Sequence, residues 1–288
     1  MTEKGSSGSS EQGAVSRNRV ALVIANNEYG SSTPFSPLSK CENGGKGVRD
    51  ALVERGFTVT LLVNKTAEEM KHAMQAFVQV VKEQKPCDSF FYFSGHGMEQ
   101  DNRSYLIPID YTSPDTGKAG KDLKEKDNDT AVDLEERLLS KLNGAGCPDT
   151  MNIIMLDCCR EDEENTIYRN AFGSSCTGSY GGNHECYRSA LGHCAPDSSQ
   201  FIVAFGTAPG TETIELQQEN FGVFTGKFLE VLMESKGGIE EFHEIFRQVT
   251  VKVSDESKGR LEPWYNAGGL KRQFYFGDQQ VPQVSLEA

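Results

Sequence analysis

The sequence contains no apolar run of about 18 residues, the length that a membrane-spanning helix needs, so we expect no segment to cross a membrane. Residues 1–17 are polar and lack the apolar core of a signal peptide, and we expect a disordered leader there. No basic segment interleaves with aromatic residues, and the formal net charge is −13 at pH 7. Nucleic acids and membranes are therefore not expected as partners, whereas a cationic substrate would be attracted.

The eight cysteines do not favour a disulfide-linked protein, because the chain is long and shows no signal peptide. Adjacent Cys158 and Cys159 would be awkward to join in one bond. We therefore expect reduced cysteines and a cytoplasmic location, since disulfides persist mainly in oxidising compartments. A loose Cys/His cluster has gaps too irregular for a typical zinc site, and we expect neither a metal nor a cofactor. Its members are Cys176, His184, Cys186, His193 and Cys194.

Apolar, β-branched segments alternate with amphipathic segments along most of the chain. Residues 20–25 (VALVIA) form a continuous apolar run, which is typical of a strand covered on both faces. Further strands are predicted at 57–63, 90–93, 105–109, 152–156, 201–205 and 274–276, and helices at 49–55, 70–81, 134–142, 221–233 and 239–253. This alternation predicts an α/β fold, an open sheet of mostly parallel strands with helices on both faces.

Residues 161–200 interrupt this alternation. They are acidic at first and then rich in Gly, Ser and Cys, without sustained periodicity. A stretch of this length without regular structure is usually functional or disordered in a compact domain. It is either a flexible activation loop or an insertion without a role, and its position directly after Cys159 favours the first.

Two predicted strands end in chemically reactive residues: one runs into Ser-Gly-His-Gly around His96, the other into Asp-Cys-Cys-Arg around Cys159. In an open α/β sheet, sites form beyond the carboxyl ends of the strands. An imidazole can take the proton of a nearby thiol and so generate the nucleophilic thiolate. The amides of Gly97 and Cys159 would then stabilise the oxyanion of a tetrahedral intermediate. Singly, each residue fits a structural role better, but their joint placement favours catalysis.

These motifs resemble those of the caspase-like cysteine proteases, a family of caspases, metacaspases and paracaspases. The histidine motif is similar to residues 94–97 and the nucleophile motif to residues 157–159, a register that selects Cys159 over Cys158. Residues 201–217 and 221–229 particularly resemble the small-subunit portion of paracaspases, and 271–276 the family's last strand.

The resemblance extends over residues 18–277 and implies a division of the protease domain. A large-subunit-like part would span about 18–160 and a small-subunit-like part 201–277, with a tail at 278–288. It also implies an endopeptidase that acts on protein substrates and pairs its last strand with a second copy in an active homodimer.

The resemblance places Asp157 and Glu212 in the specificity pocket, where two carboxylates match the guanidinium of a substrate Arg, with Lys as second choice. In the alternative interpretation Asp157 caps a turn and Glu212 is solvated. A third pocket acid of paracaspases is missing, because Gly44 stands at its position; Glu42 and Asp50 are candidate substitutes. Asp specificity, as in caspases, is the weaker alternative.

The sequence also allows three further interpretations, on calcium, self-cleavage and catalytic competence. Acidic residues such as Asp110, Asp115 and Asp122 are similar to those of calcium-dependent metacaspases, although the paracaspase-like features argue against a calcium requirement. Arg169 and Arg188 fit the predicted specificity and are candidate self-cleavage sites. A catalytically silent scaffold of the same fold is the alternative from another functional class.

Overall fold

A computed structural model describes residues 17–100, 103–112, 130–144, 149–158, 161–162, 200–207, 220–236 and 240–277, with the backbone alone at 99, 100, 161 and 162. The strands are β1 (Asn18–Ala25), β2 (Thr58–Val63), β3 (Cys87–Ser94), β4 (Gly97–Gln100), β5 (Arg103–Leu106), β6 (Val132–Asp133), β7 (Met151–Asp157), β8 (Glu161–Asp162), β9 (Gln200–Phe205) and β10 (Trp264–Gly268). The helices are α1 (Cys41–Val53), α2 (Ala67–Glu83), α3 (Ser140–Asn143), α4 (Val223–Glu234) and α5 (Phe242–Ser257), and a π-helical segment, Glu135–Leu139, leads into α3. None of these helices in the described part is long and apolar enough to cross a membrane.

Six strands form the central sheet in the order β10-β9-β7-β3-β1-β2. All neighbours are parallel except β10, which runs antiparallel to β9. Parallel strands need crossover connections, and helices supply those between β1 and β2 and between β2 and β3. The structure confirms the predicted α/β sheet of mostly parallel strands with helices around it.

The two faces of the sheet bury two separate apolar clusters. In β1, Ala21 and Val23 point to the face packed with residues of α1, α4 and α5, whereas Leu22 and Ile24 point to the face packed with α2. This alternation is the period of two that a strand imposes. Coverage on both sides explains why β1 reads as one uninterrupted apolar run.

The carboxyl ends of three adjacent strands lie level with one another. Ala25 is opposite Ser94 in the β1–β3 pair, and Ser94 is opposite Asp157 in the β3–β7 pair. The chain segments that carry His96 and Cys158 therefore leave the sheet at the same edge. Beyond this edge a smaller four-stranded sheet forms in the order β6-β5-β4-β8.

Helix α1 is longer than predicted, because it begins at Cys41 and not at residue 49. Gly44 and Gly45 lower the helix propensity of its first turns and so conceal them in the sequence. The structure explains Gly45 by packing, since a Cβ atom there would lie 2.9 Å from the Cβ of Ala25.

The predicted terminal strand at 274–276 is wrong, because the edge strand is β10. Phe274 and Phe276 are fully buried core side chains, and Tyr275 forms an isolated antiparallel bridge with Glu241. The backbone at 274–276 bonds to residues 240–242 in place of a sheet neighbour. Alternating aromatic residues therefore mark core contacts here.

Candidate active site

His96 lies between β3 and β4, at the carboxyl edge of the central sheet. Its backbone N–H donates to the Tyr29 hydroxyl at 2.9 Å, and its carbonyl accepts from the Ile107 N–H at 3.0 Å. The imidazole Nε2 lies 2.9 Å from the Ser36 carbonyl oxygen. Because a carbonyl only accepts, this contact assigns the proton to Nε2 and makes Nδ1 the basic nitrogen.

Aromatic rings fix the plane of the imidazole. The Tyr29 ring lies edge-on at a centroid distance of 4.6 Å, and the Phe35 ring is tilted at 4.8 Å. Both rings belong to a small apolar cluster outside the two main ones, which also contains Tyr111 and Ile107. His96 thus sits in a cage formed by the loop after β1 and the segment after β5.

Asp157 is the last residue of β7, and its carboxylate is oriented by two buried hydroxyl groups. The Thr225 hydroxyl donates to Asp157 Oδ2, and the Tyr92 hydroxyl lies 2.5 Å from Thr225 Oγ1. Since the single Thr225 hydrogen goes to the carboxylate, Tyr92 is the donor to Thr225. Burial, and secondarily the Asp157 charge, raise the pKa of Tyr92 well above its ordinary value, so it stays protonated.

A narrow pocket with a cavity volume of about 30 Å³ opens beside Asp157. It is bounded by the amino-terminal turn of α1, the ends of β3 and β7, and the start of α4. The lining residues include Lys40, Cys41, Gly44, Ser94, Gly95, Asp157, Gly222 and Thr225. A Cβ atom at Gly44 would lie 3.3 Å from Thr225 Cγ2 and 3.4 Å from the Tyr92 hydroxyl, so the glycine lets these side chains pack close beneath the pocket.

Neither candidate substitute for the missing third acid is among the residues that line this pocket. Glu42 pairs with Lys46 at 2.6 Å along α1, and Asp50 pairs with Arg49 at 2.8 Å. Both pairs are largely solvent-exposed, which is the usual state of charges on an outer helix face. Asp157 is thus the carboxylate that the described residues place in the pocket.

Several predicted site residues lie outside the described residues: Cys159, Glu212, Arg169 and Arg188. The neighbouring thiol, Cys158, is described and is only 5% exposed, in the cluster beneath the sheet. Such burial is typical of a cysteine that packs as a small apolar residue.

The expectation that the protein holds no metal also stays a prediction. Within the described ranges, no group of three or more His, Cys, Asp or Glu side chains is arranged to hold a metal ion. The irregular Cys/His cluster of residues 176–194 lies beyond those ranges.

Sequence reasoning missed Tyr29, Tyr92 and Thr225. Each contributes a buried hydroxyl to a residue more than 60 positions away or across the sheet. Neither hydrophobic periodicity nor a local sequence motif reveals such contacts. The nearest signal is the polar segment Asn26-Asn27 directly after β1, which marks a strand end at the active edge.

The comparisons with known proteins agree on one protein family. A family model of the caspase domain matches residues 18–275. Caspase-1 of Equus caballus is 24% identical over 270 residues, covering 91% of this chain and 60% of that protein. Mucosa-associated lymphoid tissue lymphoma translocation protein 1 of Homo sapiens is 21% identical over 227 residues, covering 77% of this chain and 22% of that protein. The chain therefore spans less than two thirds of the length of either relative.

Proposed function

Because the chain belongs to the caspase-domain family, we propose that it is a cysteine endopeptidase with Cys159 as nucleophile and His96 as general base. His96 Nδ1 takes the thiol proton, and the thiolate attacks the scissile carbonyl. The collapsing tetrahedral intermediate expels the amine, which His96 protonates. Water, activated by the same imidazole, then hydrolyses the acyl-enzyme and restores the thiol.

Strand register is the observation that supports this pairing most directly. Ser94 is opposite Asp157 in the central sheet, and Met98 is opposite Glu161 across β4 and β8. The segments 94–98 and 157–161 therefore have equal length and are paired with each other at both ends. His96 is the middle residue of the first segment, and Cys159 is the middle residue of the second. Neighbouring strands lie about 4.8 Å apart, so the two segments are close together at both of their ends, which supports the proposed pairing of His96 with Cys159.

Backbone geometry supports Gly97 as an oxyanion donor. Gly97 is opposite Leu106 in the β4–β5 ladder. The next pair, His96 and Ile107, is a hydrogen-bonded pair, because the Ile107 N–H donates to the His96 carbonyl. Hydrogen-bonded and non-bonded pairs alternate along an antiparallel ladder, so the Gly97 N–H points away from β5. That side of β4 faces β8 and the chain that follows Asp157. Together with the Cys159 amide, it would bind the developing oxyanion.

For specificity, the proposal is cleavage after Arg, with Lys second. Asp157 lies in the pocket with its carboxylate held in one orientation by Thr225. An aligned carboxylate matches the fork of a guanidinium better than a point charge, which favours Arg over Lys. Glu212 is part of this proposal as the second acid.

Cleavage after Asp is the competing candidate, and one observation favours it. Lys40, which is 7% exposed, also lines the pocket and is the single cation among its described lining residues. A positive charge at the pocket would attract an acidic substrate side chain and oppose a basic one. The two specificities differ in whether the negative charge of Asp157 or the positive charge of Lys40 dominates the pocket. Peptide hydrolysis distinguishes them.

The experiment compares fluorogenic tetrapeptides that end in Arg, Lys or Asp and are otherwise identical. We expect kcat/KM in the order Arg, Lys, Asp, and no hydrolysis by Cys159→Ala or His96→Ala. Cys158→Ala is the matched control and should keep activity. Preferred hydrolysis of the Asp peptide would support the competing specificity. Hydrolysis of no peptide by the wild-type protein, with or without calcium, would favour a catalytically silent scaffold.

The proposal includes an active homodimer that pairs along β10. This strand is one of the two edge strands of the central sheet in the described part, and it follows β9 where 274–276 was expected to close the sheet. An edge strand presents a row of backbone donors and acceptors to another chain. Sedimentation velocity on inhibitor-labelled protein should show a dimer, and labelled protein that sediments as a monomer would contradict the pairing.

A further inference from the structure

The Tyr29 hydroxyl occupies a place that a backbone hydrogen bond would normally fill. His96 and Ile107 are the next opposed residues beyond the Gly97–Leu106 pair, and Ile107 N–H donates to the His96 carbonyl at 3.0 Å. The reciprocal bond is replaced by a relay, in which His96 N–H donates to Tyr29 Oη at 2.9 Å and Tyr29 donates to the Ile107 carbonyl at 3.2 Å. The Tyr29 hydroxyl is therefore inserted between the backbones of His96 and Ile107, at the end of the β4–β5 ladder.

The fold does not need this hydroxyl to satisfy Ile107. The same carbonyl accepts a second bond from Asn26 Nδ2 at 3.2 Å, and Asn26 is fully buried. If the Tyr29 hydroxyl were removed, the Ile107 carbonyl would keep this donor, whereas the His96 N–H would lose the acceptor described here. Loss of the Tyr29 hydroxyl would therefore affect the backbone of His96 more than that of Ile107.

Gly95 in the Ser-Gly-His-Gly segment is explained by the same hydroxyl. A Cβ atom at position 95 would lie 2.7 Å from Tyr29 Oη and 2.8 Å from the Phe93 ring, closer than real Cβ contacts allow. Gly95 therefore leaves room for the relay. The Tyr29 ring also contacts the imidazole edge-on at 4.6 Å, so hydroxyl and ring act on the same residue.

We infer that Tyr29 is a positioning residue for His96, which sets both the backbone and the ring plane of the general base. This inference rests on the proposed function of His96. Tyr29 is 3% exposed and its hydroxyl is engaged on both sides, so its role is to orient the base while substrate is bound elsewhere. Catalytic geometry tolerates little displacement, and a shift of about 1 Å costs up to a hundredfold in rate.

The test is the variant Tyr29→Phe, which keeps the ring and removes the relay. The pH profile of Cys159 alkylation by iodoacetamide is followed by mass spectrometry in the full chain. In the wild-type protein His96 should give a reactive thiolate near neutral pH. In Tyr29→Phe we expect alkylation at pH 7 to be about tenfold slower and the profile to move toward that of an ordinary thiol. For the preferred peptide, kcat should fall about tenfold with KM unchanged.

Tyr111→Phe is the matched control, because Tyr111 belongs to the same cluster and packs on Phe35 at 5.5 Å. It should leave the alkylation profile unchanged. Gly95→Ala is the second variant, since its methyl group displaces the hydroxyl, and it should reproduce the Tyr29→Phe profile even if it lowers the melting temperature. Wild-type alkylation in folded Tyr29→Phe or Gly95→Ala would overturn the inference. A wild-type protein that cleaves no peptide would refute the proposed function, and the alkylation comparison would still be decisive for Tyr29.

Discussion

Replacing Thr225 by Val tests the carboxylate that we place in the specificity pocket. Val has nearly the same shape as Thr, and the side chain is 1% exposed, so the change removes a hydroxyl and little packing. The lost bond to Asp157 is charge-assisted and worth about 1.5–3 kcal/mol. If about half of this energy, or about 0.75–1.5 kcal/mol, holds the carboxylate in its binding orientation, KM for an Arg peptide should rise about three- to twelvefold, because 1.4 kcal/mol corresponds to a factor of ten.

The assay is steady-state hydrolysis of the Arg peptide together with thermal unfolding. We expect kcat within about twofold of the wild-type value, because Thr225 contacts the pocket acid and not the dyad. Unfolding should occur roughly 4–8 °C lower, since about 2 kcal/mol shifts a domain of this size by that amount. Thr225→Ser keeps the hydroxyl and should restore KM. A wild-type KM in Thr225→Val, or an equally raised KM in Thr225→Ser, would refute the reasoning.

Further predictions concern stability and processing. Glu240→Gln removes the charged partner of the Arg55 guanidinium in an ion pair whose two side chains are each 6% exposed, so unfolding should become about 3–5 kcal/mol easier by urea titration. The exposed control Glu244→Gln should leave the urea midpoint nearly unchanged. Hydrogen bonds at the start of α2 lower the Glu69 pKa to about 2, so its stabilisation is present above about pH 4.5 and is lost as the pH falls toward 2. Glu69→Gln should therefore destabilise the protein at pH 7 by about 1 kcal/mol after solvent screening, and hardly at pH 2. Active wild-type protein should split during prolonged incubation, whereas the double variant Arg169→Gln/Arg188→Gln and Cys159→Ala should each stay intact on a denaturing gel.

Strands and helices with a clear apolar pattern could be predicted from the sequence, because the burial of their faces determines that pattern. Strand β1 carries a continuous apolar run since both of its faces are covered, and α2 shows helical spacing together with a capping box formed by Thr66 and Glu69. The edge strand β10 was missed because its sequence, Trp-Tyr-Asn-Ala-Gly, lies between a proline and a second glycine and resembles a turn. Pairing with β9 decides its conformation, and no local pattern contains that information.

The candidate site divides in the same way. His96 could be found because it follows a recognisable strand and parallel strands bring their carboxyl ends together, whereas the pocket role of Asp157 was implied by the family resemblance. Tyr29 and Thr225 could not be found, because they act through single hydroxyl groups on residues 67 and 68 positions away. The resemblance places a third pocket acid where this sequence has Gly44, and the structure packs Thr225 against that glycine.

The central claim is a His96-activated Cys159 that recognises a basic side chain. It is tested most directly by covalent labelling with an Arg-ending peptide acyloxymethyl ketone, followed by intact mass and peptide mapping under reducing conditions. The account predicts one adduct, located on Cys159, retained in Cys158→Ala, lost in His96→Ala and formed much more slowly with the Asp-ending reagent. An adduct on Cys158, equal labelling in His96→Ala, or no adduct with or without calcium would contradict it.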